Sequence, residues 1–95
     1  MTNKILQKRI KFNRVKLGRE KIYGSADEYP LRIDDRLKGK KELEIYLHES
    51  YHYLFPNMTE EEVEWKSILL CNTLWHEGYR KVDNSNDIHL QDGTL

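Results

Sequence analysis

From Leu43 onward, Leu43, Leu47, Tyr51 and Leu54 recur at spacings of four, four and three, until Phe55-Pro56-Asn57 interrupts the pattern. That spacing lays one apolar stripe along a helix. Proline has no N–H to donate and its ring collides with the preceding turn, so the helix must stop there. A first helix is therefore expected from about Lys40 to Leu54. A second begins at Thr59, where Thr59 and Glu62 have the spacing of a capping box and Met58 and Val63 that of a hydrophobic staple. Glu60, Glu61 and Glu62 suit the positive end of its dipole. Val63, Ser67, Leu70 and Leu74, widened by Ile68, Cys71 and Trp75, form its inner stripe, and Gly78 is placed to end it as the C′ residue.

The first forty residues read differently. Between Lys8 and Leu17, Ile10 and Phe12 fall on one side and Val15 and Leu17 on the other, which suggests a strand with a bulge or a strand followed by a turn. Gly18 and Gly24 bracket a second short strand around Lys21-Ile22-Tyr23. Pro30 favours an extended approach to Leu31-Arg32-Ile33-Asp34, whose alternation marks a half-buried strand. About three strands in an antiparallel sheet are expected. Past Val82 the chain turns polar, so one domain over residues 1–82 and a polar tail over 83–95 are expected.

Ninety-five residues can bury only a modest core, and a bound metal would help to hold it together. One cysteine, Cys71, cannot form a disulfide within the chain and fits a reducing compartment. No stretch approaches the roughly 18 apolar residues of a membrane span, and no secretory signal is evident, so a cytoplasmic protein is expected. The net charge of zero hides an asymmetry: residues 1–41 carry 13 Lys/Arg and 5 Asp/Glu, residues 42–95 carry 3 and 11. Eight cations precede Ile22 and could follow a phosphate backbone. Without a base-reading motif, the simpler reading is a solvated face that balances the acidic half. Nucleic acid is thus a possible partner that no motif supports.

The residues that carry chemistry are His48-Glu49-Ser50-Tyr51-His52, an H-E-x-x-H run inside the first helix. Side chains four apart lie one above the other, so both imidazoles face the same way, about 6 Å apart along the axis, and can close on one zinc ion. Glu49 falls beside that ion and can take a proton from water activated there. Two histidines bind weakly, and a catalytic site needs a third protein ligand with one position open. The acidic start of the second helix is the nearest source. Glu60 lies on the same face as Val63 and Ser67, whereas Glu61 and Glu62 are rotated away by about 100° and 200°. Glu64, one turn on, could accept a hydrogen bond from a ligand imidazole. Tyr23, Tyr46, Tyr53, His76, Tyr79 and Arg80 are candidate oxyanion donors, and the sequence singles out none of them.

His48-Glu49-x-x-His52 followed by Glu60-x-x-Val63-Glu64 resembles the gluzincin branch of zinc metallopeptidases. The layout from Gly24 to Gly78-Tyr79-Arg80 is similar to very small single-domain zincins, some of them phage-encoded. The resemblance implies an α+β fold, a small sheet on a two-helix zincin-like core, and a zinc-dependent peptide-bond hydrolase (an endopeptidase) holding one Zn2+. It makes His48, His52 and Glu60 metal ligands, Glu49 the general base and Glu64 a support for an imidazole. It also makes Leu31, Arg32, Ile33 and Asp34 the edge strand that pairs with an extended protein or peptide substrate. The alternative is a non-catalytic binding module stabilised by zinc, associated with nucleic acid through the basic N-terminal part.

Overall fold

The computed structural model describes residues 6–82, so the expected tail over 83–95 lies outside the described residues. Three strands, β1 (Phe12–Val15), β2 (Gly24–Ser25) and β3 (Leu31–Asp34), precede two helices, α1 (Gly39–Leu54) and α2 (Glu60–His76). The fold is α+β, as expected. The sheet is not purely antiparallel, however. Its order is β1-β3-β2, with β1 parallel to β3 and β2 antiparallel to it.

The reason is the length of the β1–β3 connection. Parallel neighbours need a long crossover, and residues 16–30 supply one that also carries β2. Leu17 is buried within this connection, and Tyr23 accepts a hydrogen bond from Asp34 N at 2.8 Å just before β2 begins. The second strand therefore starts at Gly24 rather than around Lys21-Ile22-Tyr23.

A consequence corrects one expectation outright. Leu31, Arg32, Ile33 and Asp34 do form a strand, but it lies at the centre of the sheet, paired through Phe12–Val15 on one side and Gly24–Ser25 on the other. Both its edges are taken, so it cannot serve as an edge for another chain. The strand expected between Lys8 and Leu17 is present as β1, but it pairs parallel with β3 rather than antiparallel with its neighbour in sequence.

Helix α1 is the middle layer, with β2 and β3 on one side and α2 on the other. It therefore buries two lines of residues: Glu42, Ile45 and Glu49 toward the sheet, and the half-buried Leu43, Leu47 and Tyr51 alongside. Ile33, Leu37 and Ile45 make the centre of the core, with Phe12 set edge-on to Tyr46 at 4.8 Å. Helix α2 buries only Val63, Ser67 and Cys71, so Leu70 and Ile68 of its expected stripe stay partly in solvent. The capping box is present in both directions between Thr59 and Glu62. The C-terminus closes as a Schellman motif around Gly78 at φ +97°, with Gly78 N donating to Trp75 O and Tyr79 N to Leu74 O.

One polar clamp ties the sheet to α1. The Arg14 guanidinium, leaving β1, reaches Glu42 Oε2 at 2.5 Å, Tyr46 Oη at 3.2 Å and the carbonyls of Asp35 and Leu37 at 3.3 Å. Lys81 Nζ meets the same Glu42 oxygen at 3.3 Å, so a buried carboxylate has two cationic partners. Among the described residues no helix is long and apolar enough to cross a membrane.

Candidate metal centre

His48 and His52 sit one turn apart on α1 with ring centroids 4.9 Å apart. They project past the end of the core toward the first turn of α2. Because Pro56 stops α1 and the capping box starts α2 only a few residues later, Glu60 arrives opposite the two rings. Its carboxylate is shared between them, with Oε2 3.0 Å from His48 Nε2 and Oε1 2.8 Å from His52 Nε2. Glu61 and Glu62 do not join the group. Glu62 is engaged in the capping box with Thr59 and lies 4.0 Å from Lys66 Nζ.

The donor atoms of His48, His52 and Glu60 all lie within 4.8 Å of one another, an arrangement that could hold a metal ion. Ligands at roughly 2.0–2.2 Å from one tetrahedral ion are themselves about 3.4 Å apart, against 3.0 and 2.8 Å here between the Glu60 oxygens and the two imidazoles. Both histidines present Nε2 inward, leaving Nδ1 for other partners. Two imidazoles and a carboxylate, with one face open to solvent, make a set of the kind that leaves a coordination position free.

Glu49 occupies a different environment. It is only 8% exposed, pressed between α1 and β2, and burial pushes its carboxyl above the ordinary glutamate range. The nearby imidazoles oppose that shift and Glu60 and Asp27 add to it. The close approach is permitted by Gly24: a Cβ there would lie 2.9 Å from both Glu49 Cγ and Ile45 Cγ2. Gly24, Ser25, Ala26 and Asp27 form one wall of an open cleft of about 480 Å³. His48, Glu49, His52, Pro56 and Glu60 form the other.

Not every expected site residue reaches this cleft. Glu64 is exposed, and among the described residues no hydrogen bond joins its carboxylate to either imidazole; its carbonyl accepts from Ser67 Oγ instead. Tyr46 belongs to the Arg14 clamp, while Tyr79 and Arg80 line a separate groove with Trp75 and Glu42. Tyr53 stacks on Tyr29 and donates to Gln7 Oε1. What sequence reasoning missed is the β2 wall, Gly24 to Asp27. The one available signal was a glycine next to a strand, which often marks a close backbone approach.

No protein-family model matches the chain, and the comparisons with curated proteins and with solved structures found no match.

Proposed function

We propose that the chain is a zinc-dependent peptide-bond hydrolase. The observation that carries this reading is the sharing of the Glu60 carboxylate between His48 and His52, beside a buried carboxyl at Glu49, in a cleft open to solvent. His48, His52 and Glu60 would hold the zinc. When bound, it would supply Lewis acidity toward a water and toward the substrate carbonyl.

The remaining steps belong to the chain. Glu49 takes the proton from the attacking water, then passes it to the leaving amine. Its burial favours this exchange, because a carboxylate poorly solvated by water is more basic than one at the surface. The strand available to an extended substrate is β2. Among the described residues it pairs with β3 on one side only, and Gly24 and Ser25 border the cleft. A peptide laid against that edge would pass over Glu49 with its backbone held by hydrogen bonds.

The test is Glu49→Gln. This variant is expected to bind zinc stoichiometrically like the parent and to cleave no member of a peptide library that the parent cleaves. Equal cleavage by parent and variant would remove the assigned role. Stoichiometric zinc with no cleavage by the parent would favour instead a zinc-stabilised binding module.

A further inference from the structure

The cleft is acidic, although the chain as a whole carries no net charge. Asp27, Glu49 and Glu60 line it, and among the described residues no lysine or arginine does. The cations gather elsewhere: Arg14, Lys38, Arg80 and Lys81 border a separate groove beside Trp75. Two of the three acids are already engaged, since Glu60 is shared between His48 and His52 and Glu49 is buried against β2.

Asp27 is not. It is exposed, and among the described residues no cation forms an ion pair with its carboxylate. Its backbone N–H donates to Ser25 Oγ at 3.2 Å, which fixes its place just past the end of β2. From there its charge reaches Glu49, adding to the upward push on that carboxyl. A substrate atom within reach of Glu49 therefore also feels Asp27.

A peptide laid along the free edge of β2 would cover Asp27 and take water from it. A carboxylate covered in this way loses stability unless a donor replaces the water. A lysine or arginine side chain supplies that donor as a charge-assisted hydrogen bond. Ile22, Ala26 and Pro56 give the cleft apolar surface for the aliphatic stem. An acidic side chain would instead join three carboxylates and be repelled.

We infer that the cleft selects peptides carrying a lysine or arginine close to the scissile bond, with Asp27 as the partner of that cation. The inference rests on the hydrolase reading above and names its substrate class. Asp27 meets the substrate side chain, not the reacting bond.

The zinc-loaded full chain carrying Glu49→Gln, expected to hold peptides without cutting them, tests this by fluorescence anisotropy. The probes are fluorescein-labelled octapeptides of alanine in which one arginine, leucine or glutamate is moved through every position. At one position arginine should bind about fivefold more tightly than leucine, the upper range of an exposed ion pair, and glutamate more weakly than leucine. Adding Asp27→Asn should remove the arginine preference, and adding Asp27→Lys should transfer it to glutamate. Binding that ignores charge, or no binding of any peptide, overturns the inference. So does an arginine preference that survives both substitutions. Cleavage of the same peptides by the parent keeps the two readings apart. Arginine preference without cleavage leaves the subsite standing and removes the hydrolase, whereas cleavage without charge preference does the reverse.

Discussion

Gly24 stands so close to Glu49 that a single added methyl group would lie 2.9 Å from Glu49 Cγ, and as close to Ile45 Cγ2. Neither neighbour can withdraw freely, since Ile45 is part of the core and Glu49 is wedged against the sheet. Gly24→Ala should therefore destabilise the fold by about 1–3 kcal/mol, the usual cost of overpacking. It should also displace Glu49, lowering peptide cleavage more than zinc affinity. Urea unfolding and zinc titration of the same variant separate the two effects.

Zinc should raise the melting temperature of the parent in proportion to the logarithm of its excess over the dissociation constant, because the unfolded chain has no preformed site. His52→Ala and Glu60→Gln should each abolish that rise while leaving the metal-free melt nearly where it was, since both side chains are accessible. Thermal scans with zinc and with a chelator measure this directly.

Glu49→Gln should make the metal-free protein more stable at neutral pH. The sign follows from burial: a carboxyl raised above its unfolded value binds its proton more tightly when folded. Ionising it then costs stability above the folded value, and the neutral amide escapes that cost. Melts at pH 7 should show the variant higher, with the difference closing as the pH falls from the raised folded value to the ordinary glutamate range.

Asp34 gives the opposite case. Its carboxylate accepts from Arg36 Nη2 at 2.7 Å, from Arg36 Nε at 3.0 Å and from Arg36 N at 2.9 Å, which holds it at about 2. A depressed carboxyl contributes stability above its unfolded value of about 3.9 and loses it as the pH falls toward 2. Asp34→Asn should be less stable at neutral pH and should flatten the acid limb between roughly pH 4 and 2. Acid titration of the far-ultraviolet signal reads both.

Arg14→Ala should cost about 2 kcal/mol or more, because it strips a buried carboxylate of one of its two cations and frees the carbonyls of Asp35 and Leu37. Pairing it with Glu42→Gln should recover part of the loss, since no buried charge is then left unpaired. A double-mutant cycle in urea gives the coupling.

Where local pattern decides, the sequence was readable. The stop at Pro56, the cap at Thr59 and Glu62, and the Schellman end at Gly78 depend on residues within a few positions of one another. The approach of Glu60 rather than Glu61 or Glu62 to the imidazoles follows from helical phase, which also needs only near neighbours. The order of the strands did not follow, because the contact of Phe12–Val15 with Leu31–Asp34 joins segments separated by a whole connection. The same gap in range hid the β2 wall, whose position opposite α1 depends on how the sheet settles on the helix. Helix α1 is covered on two sides and hides two lines of side chains, of which the stripe of Leu43, Leu47 and Tyr51 is one and Ile45 with Glu49 the other. Glu64 failed to reach a histidine for a plain reason: one turn beyond Glu60 the helix already points its carboxylate to solvent.

All the groups that line the cleft fall within the one stretch of chain from Ile22 to Glu60. Most pockets are gathered from scattered loops, and such assemblies are lost when a gene is cut or rearranged. Here a single recombination event could carry the entire wall and its three donor side chains into another host sequence. A ligation of synthetic peptides could replace any atom in it without touching the rest of the protein.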